Sequence, residues 1–327
     1  MPEKLKIYFA GSGRIALPVL TALSQASGIE LVGVGTQPDR PVGRKRLLSP
    51  TPVGELAAGL GCVLHKLPDI NAPEALAAIR ACAPRMIVVL SFGQLLKQPV
   101  LELPELGCVN IHGSLLPRWR GASPVQQVLL HREKETGVCF MRMERGLDSG
   151  PVFRTLAMPI PENCGADALE MALGRLAAQA AEETLLDIAS GKLQARPQPT
   201  EGVTVCRKIT RADGAVRWEF PAERIEAMSR AFENWPGAFF DVKCGGAVCR
   251  VTIGRAAVRN DLSGTPGSRL APDDRKRLIV ACGEGALELL EVTPAGRNPM
   301  PVAAFLNGFR GAELEFLPGS LPENKTL

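Results

Sequence analysis

Short continuous apolar runs alternate with alanine- and leucine-rich stretches of helical period through the first half of the chain. Residues 5–10 read as a buried first strand, 29–35 as a second strand, and 86–90, apolar throughout, as a strand covered on both faces. Between them, a stretch running to Ser24 and those at 51–60 and 72–82 read as helices. Strands that alternate with helices imply a parallel sheet, since parallel neighbours need a long crossover. A helix beginning after Ser123-Pro124, a strand at 137–143, a turn at 145–150 and an extended segment at 151–158 continue the pattern. Ser123 is placed as an N-cap and Pro124 as the first helical residue.

The pattern then changes. Residues 165–189 read as one long helix with Leu169, Leu173, Leu176 and Ala180 as its buried stripe and Gly191 just past its end. Residues 192–204 are rich in Pro, Gln and Thr without apolar periodicity, as a connector between domains would be. Beyond it come a short helix at 221–231 and strands at 239–242, 248–258, 278–281 and 286–292 separated by glycine clusters, which a small β-barrel would close. The expected division is therefore 1–191, a connector at 192–206, and 207–327.

The stretch Gly107-Cys108-Val109-Asn110-Ile111-His112-Gly113-Ser114-Leu115-Leu116-Pro117 carries the clearest chemical signal. Side chains alternate along a strand, so Val109 and Ile111 face one side while Asn110 and His112 face the other. Gly113 and Pro117 end the strand, which leaves the two polar groups at its carboxyl end, where open α/β sheets bind ligands. A histidine alone in a strand is commonly a hydrogen-bonded structural residue, and that alternative stands beside the chemical one. The following loop, Ser114 to Ala122, mixes exposed apolar, cationic and glycine positions beyond any packing need.

Two further segments invite rival readings. Gly11, Gly13 and Ala16 after the first strand fit a dinucleotide fingerprint, whose glycines admit a pyrophosphate. Against an NAD-dependent dehydrogenase, Thr36-Gln37-Pro38 stands at the end of the second strand where a ribose-binding acid belongs, and Asp39 comes only in the following loop. Pro38 to Arg46 is a loop broken by proline and glycine with four cations and one acid; by itself it reads as solvated surface.

Composition narrows the classes without choosing among them. With 327 residues, 46% hydrophobic and 22% charged, the chain is an ordinary globular protein with room for two cores. No apolar run reaches the ~18–20 residues a membrane-spanning helix requires, and residues 1–6 lead straight into a strand, so no membrane association and a cytoplasmic location are expected. The nine cysteines are odd in number and scattered, without zinc or redox spacing. A net charge of +4 is small, so attraction to nucleic acid has to come from local clusters.

Asn110, His112 and a carboxylate at Asp148, on the glycine-flanked turn Gly146-Leu147-Asp148-Ser149-Gly150, suit acyl transfer to an amine. An amide N–H and an imidazolium can stabilise the oxyanion of a tetrahedral intermediate, and the carboxylate can orient the imidazole. Nothing in this set needs a metal.

Asn-x-His-x-Ser-Leu-Leu-Pro-x-x-Arg-Gly at 110–121, with Gly-x-Asp-x-Gly downstream, resembles the folate-dependent formyltransferases. The resemblance implies catalytic roles for Asn110, His112 and Asp148 and folate contact by Ser114, Leu115, Leu116 and Pro117. Thr36 to Arg44, His112 to Ala122, Arg230-Ala231-Phe232-x-x-Trp235-Pro236-Gly237 and Pro294-Ala295-Gly296 resemble the branch of that family that formylates methionyl-initiator tRNA, over essentially the whole chain. It implies 10-formyltetrahydrofolate as formyl donor, initiator tRNA as partner, tRNA contact by Arg44, Lys45 and Arg46, and a monomer. The implied fold is α/β, with a Rossmann-like, mostly parallel sheet in the formyltransferase domain followed by a smaller C-terminal OB-like β-barrel. Sister enzymes acting on glycinamide ribonucleotide or an amino sugar lack the basic loop and the C-terminal domain; a non-catalytic RNA-binding protein would not need the Asn, His and Asp. The chain departs from the family at Gly11-Ser12-Gly13-Arg14, where Gly-Thr-Pro is usual, and at Phe92, where tyrosine is usual.

Overall fold

The computed structural model describes residues 3–42, 47–244, 246–271, 274, 276–309 and 314–320. It divides into two compact units, the first formed by Met1–Pro124, Lys134–Ile160 and Ala168–Arg207. In chain order this unit contains β1 (Leu5–Gly11), α1 (Leu17–Gln25), β2 (Ile29–Thr36), β3 (Arg40–Val42), β4 (Leu47–Ser49), α2 (Pro52–Gly59), β5 (Leu64–Lys66), α3 (Pro73–Ala81), β6 (Met86–Leu90), α4 (Gln98–Leu101), β7 (Cys108–His112) and β8 (Arg120–Gly121). After α5 (Pro124–Leu130) come β9 (Glu135–Arg142), β10 (Val152–Pro159), most of α6 (Ala166–Ala189) and β11 (Val205–Cys206).

Seven strands form one sheet in the order β10-β9-β7-β6-β1-β2-β5. The pairs β5–β2, β2–β1, β1–β6 and β6–β7 are parallel, while β9 runs antiparallel to both β7 and β10. All five residues of β6 are buried, as its unbroken apolar sequence requires. The sequence of strands moves outward from β1 through β2 and β5, then returns to its other side at β6 and β7. That reversal is where doubly wound sheets open at the carboxyl ends of their strands, and β7 ends next to it.

The helices start where local chemistry dictates. Pro52 and Pro73 open α2 and α3, and the Thr51 hydroxyl caps α2 by accepting from Gly54 N at 3.0 Å. Along α6, Leu169, Leu173, Ala177, Ala180, Ala181 and Leu185 are buried, so the stripe runs through Ala177, and Leu176, expected in it, is only half-buried.

The loop reading of residues 38–46 needs correction. Arg40–Val42 pairs antiparallel with Leu47–Ser49, making a two-stranded ribbon on which Leu47 and Leu48 are exposed. Arg44, Lys45 and Arg46 lie between these strands, outside the described residues. The short edge strand β5 also escaped the pattern, because three residues without alternation carry no periodic signal.

The second unit comprises Val125–Glu133, Pro161–Asp167 and Lys208–Leu327. It holds α7 (Ala222–Ala231), β12 (Ala238–Cys244), β13 (Ala247–Arg259), β14 (Arg269–Leu270), β15 (Leu278–Ala281), β16 (Ala286–Pro294), β17 (Met300–Pro301), α8 (Val302–Asn307) and β18 (Leu314–Leu317). The strands are antiparallel in the order β14-β15-β16-β13-β12-β18, with β17 on β16. This is a nearly closed barrel: a Cβ on Gly267, just before β14, would stand 3.2 Å from the Phe316 carbonyl in β18. Trp218, Phe240 and Phe316 fill its interior, the first pair edge to face at 5.2 Å.

On the barrel wall, Glu288 accepts from Arg277 at 2.7 and 2.8 Å and from Arg259 at 2.9 Å. Hydrogen bonds from Arg277, and secondarily Arg259, hold its carboxyl down to about 2 from an ordinary 4.5, against the opposing effect of burial. A depressed carboxyl contributes stability above its unfolded value, and this contribution is lost as pH falls from 4.5 toward 2. Glu288→Gln is therefore expected to destabilise the protein by about 1 kcal/mol at neutral pH, modest because Arg277 is half-exposed. Urea unfolding followed from pH 7 downward should show that difference vanish in the acid range.

Candidate active site

Asn110 and His112 stand two residues apart at the carboxyl end of β7, so they share a face, while Val109 and Ile111 are buried on the other. The turn between β9 and β10 brings Asp148 to them. Asn110 Nδ2 donates to Asp148 Oδ1 at 3.1 Å, the Gly121 main-chain N–H donates to Oδ2 at 2.8 Å, and His112 Nδ1 lies 3.6 Å from Oδ2. The three residues that the sequence singled out thus form one cluster.

The tautomer of His112 follows from its other nitrogen. Nε2 is 2.9 Å from the Trp119 carbonyl, and a carbonyl only accepts, so Nε2 carries a hydrogen. In the neutral ring, Nδ1 is then a bare acceptor turned toward Asp148. Asn110 Nδ2 has two hydrogens, one of which goes to Asp148, leaving the second for another acceptor. The His112 side chain is 6% exposed and that of Asp148 13%, so both work largely out of water.

Asp148 has φ +46°, a left-handed conformation that a residue with a Cβ adopts only when its surroundings hold it. The holding group is Gln198, whose Nε2 donates to the carbonyls of Asp148 and Gly150, each at 2.8 Å. Its Oε1 accepts from Arg120 Nε at 3.0 Å and Nη2 at 2.8 Å.

The loop after β7 is fastened in the same way. Ser114 is fully buried and its hydroxyl donates to the Arg118 carbonyl at 2.6 Å, while Leu115, Leu116 and Pro117 are half-buried. Trp119 N donates to Thr204 Oγ1 at 2.7 Å, Arg120 N to the Thr204 carbonyl at 2.9 Å, and Ala122 N to the Cys206 carbonyl at 3.1 Å. Accordingly β8 and β11 pair in parallel. Gly121, at φ +113°, admits no side chain: a Cβ there would stand 2.2 Å from the Cys206 carbonyl oxygen. Burial pushes the Cys206 thiol up, so it remains a neutral S–H, directed to the carbonyls of Trp119 and Arg120 at 3.5 and 3.3 Å. Pro124 begins α5 as expected, and the Ser123 hydroxyl donates to the Arg207 carbonyl at 2.7 Å.

Sequence reasoning missed Gln198, Thr204 and Cys206. They fall in the expected connector, where polar residues without periodicity carry no local mark of their long-range partners. The strand spacing of the β8–β11 bridge is two residues on each side, below what any pattern reveals.

The glycine turn after β1 is arranged unlike a pyrophosphate cradle. Ser12 N and Gly13 N both donate to the Ser91 carbonyl, at 3.1 and 3.2 Å, instead of standing free for a phosphate. Asp39, the one acid near the end of β2, is ion-paired with Lys66 at 2.6 Å. Phe92 is buried, and Gln37 Nε2 fixes its carbonyl at 2.8 Å. Among the described residues no group of three or more His, Cys, Asp or Glu is placed to hold a metal ion, no helix is long and apolar enough to cross a membrane, and all nine cysteines are free.

A family model described as formyl transferase matches residues 4–185, and one described as formyl transferase, C-terminal domain, matches 208–310. The chain is 39% identical over 310 residues to methionyl-tRNA formyltransferase of Chloroflexus aggregans, covering 95% of this chain and 99% of the relative. It is 41% identical over 307 residues to the enzyme of the same name from Halorhodospira halophila, covering 93% and 96%. Among solved structures, the methionyl-tRNA formyltransferase of Clostridium thermocellum superposes with a TM-score of 0.55 at 16% identity, over 79% of this chain and 95% of that one. HypX from Aquifex aeolicus in complex with tetrahydrofolic acid superposes with a TM-score of 0.62 at 17% identity, over 94% of this chain and 48% of that one. At such identities these structures speak to the fold alone.

Proposed function

The chain belongs to the methionyl-tRNA formyltransferase family, and on that premise we propose that it transfers the formyl group of 10-formyltetrahydrofolate to the amino group of methionine on initiator tRNA, using Asn110, His112 and Asp148. The observation that carries the residue assignment is the joining of these three side chains at the end of β7. Attack by the amine nitrogen forms a C–N bond to the formyl carbon and places negative charge on its oxygen. The second Nδ2 hydrogen of Asn110 is available to that oxygen, and His112 adds positive charge nearby once its Nδ1 has taken the amine proton. The bond from the formyl carbon to N10 of the folate breaks, and the proton lost by the amine is returned to N10. The bare Nδ1 of His112, with Asp148 beside it, is placed to hold that proton in transit.

The half-buried Leu115, Leu116 and Pro117 offer an apolar surface beside the polar cluster, which suits the ring body of a folate, and Ser114 supports it from within the loop. On this reading, residues 1–191 carry the reacting side chains, 192–206 connect, and 207–327 support the tRNA; the protein acts as a monomer in the cytoplasm. The deciding experiment incubates the purified protein with 10-formyltetrahydrofolate and charged initiator tRNA. Formylmethionyl product supports the reading; product only with an amino sugar or glycinamide ribonucleotide would transfer the chain to a sister activity.

The ribbon that brackets Arg44, Lys45 and Arg46 gives the tRNA part of the proposal its own test. Alanine at all three positions should raise the Michaelis constant for charged initiator tRNA by about 10-fold and flatten its dependence on salt, because up to three phosphate contacts and their released counterions are lost. Tetrahydrofolate affinity should match wild type. Unchanged kinetics across a salt series would make these cations ordinary solvated surface.

A further inference from the structure

We infer that Gln198 is a positioning residue for formyl transfer, acting through the backbone of Asp148; the inference deepens the proposed function and rests on it. Its amide uses its full hydrogen-bonding capacity on the two segments that form the site. Both Nε2 hydrogens go to carbonyls of the Asp148 turn, on Asp148 and Gly150, and Oε1 accepts two N–H groups of Arg120. Arg120 precedes Gly121, whose main-chain N–H fixes Asp148 Oδ2. One side chain therefore holds the carboxylate from both directions: it clamps the peptide that carries Asp148 and anchors the strand whose amide grips the carboxylate oxygen.

Besides the two donors to the Asp148 carboxylate, the turn is tied by a hydrogen bond from Arg145 Nε to Gln98 Oε1 at 3.0 Å. Glu144, Arg145, Gly146, Leu147 and Ser149 are exposed, so the residues beside Asp148 give little packing to hold its left-handed conformation. Without the clamp the turn is free to relax toward φ values that a residue with a Cβ prefers. Such a relaxation would swing the carboxylate away from Asn110 and His112, a displacement of the kind that lowers turnover while leaving binding in place. Arg196, two residues earlier, pairs with Val152 through both its N–H and its carbonyl, at 2.9 and 2.8 Å, which sets the register of the segment that delivers Gln198.

The test compares wild type, Gln198→Leu, Gln198→Glu, Asp148→Asn and the double variant Gln198→Leu/Asp148→Asn. Single-turnover and steady-state formylation of charged initiator tRNA are measured with thermal melts of each protein. Gln198→Leu removes all four hydrogen bonds, whereas Gln198→Glu retains an acceptor for Arg120 and removes only the donors to Asp148 and Gly150. Both should lower kcat by about 10-fold or more with Michaelis constants for both substrates within about 3-fold of wild type. On the Asp148→Asn background, Gln198→Leu should cost nothing further, because the group it positions is already gone.

Normal kcat in either single variant, an effect confined to Michaelis constants, or losses that multiply in the double variant would overturn the inference. So would collapse of both single variants in the melts, which would make Gln198 a stability residue. A wild-type protein inactive toward charged initiator tRNA is a separate outcome and defeats the proposed function instead.

Discussion

Alanine in place of His112 is expected to lower turnover on charged initiator tRNA by roughly 10²- to 10³-fold while the protein stays folded and still binds tRNA, and Asn110→Ala should fall in the same range. On the proposed mechanism each substitution removes a group that would act on the reacting atoms: the spare Nδ2 hydrogen of Asn110, and the Nδ1 position of His112 beside Asp148. The structural consequence of losing the imidazole is smaller. It leaves the Trp119 carbonyl without its 2.9 Å partner, yet the Cys206 thiol at 3.5 Å still points at that oxygen, so about 1 kcal/mol of stability is the scale at stake. Turnover and thermal melts measured on one preparation separate the two roles. Near-normal turnover with a lowered melting temperature would return His112 to the status of a structural histidine.

Asp148→Asn should be as damaging, for a reason that the geometry makes specific. Both carboxylate oxygens receive N–H donors, Oδ1 from Asn110 and Oδ2 from Gly121. An asparagine amide has one oxygen and one NH2 group, so whichever way it turns, a donor faces a donor. Rearrangement of Asn110 or of the Gly121 loop follows, along with loss of the negative charge beside His112. A reduction in kcat of at least about 10²-fold is expected, without a comparable rise in the Michaelis constant for folate. Activity within a few-fold of wild type would show that an acceptor, not a carboxylate, is all the position needs.

The unbroken apolar run of β6 marks a strand buried on both faces, the strand–helix alternation around β1, β2 and β6 marks the parallel sheet, and the alternation at 109–112 puts Asn110 and His112 on a common face. Asp148 was legible as a carboxylate on a glycine-flanked turn, but its positive φ and its contacts were not. The ribbon β3–β4 shows no strand pattern in the sequence, because Pro41 and the adjacent charges mask three-residue strands. Within 192–206, Gln198, Thr204 and Cys206 carry no local mark, because their partners lie far away in sequence, where no local period extends. In the barrel, β15 emerged at its expected bounds, whereas β14 and β17, of two residues each, left no pattern to find.

The parallel bridge between Arg120–Gly121 and Val205–Cys206 bears on how such a domain can be inherited. Asn110, His112 and Asp148 all precede the long helix, so a recombination event that severed the gene at the end of that helix would transmit all three side chains of the cluster. It would leave behind Gln198, Thr204 and Cys206, which hydrogen-bond to the Asp148 turn and to the loop after β7. A segment that keeps the three side chains together with the partners that hold them therefore extends to Arg207, where the last stretch of the first unit ends.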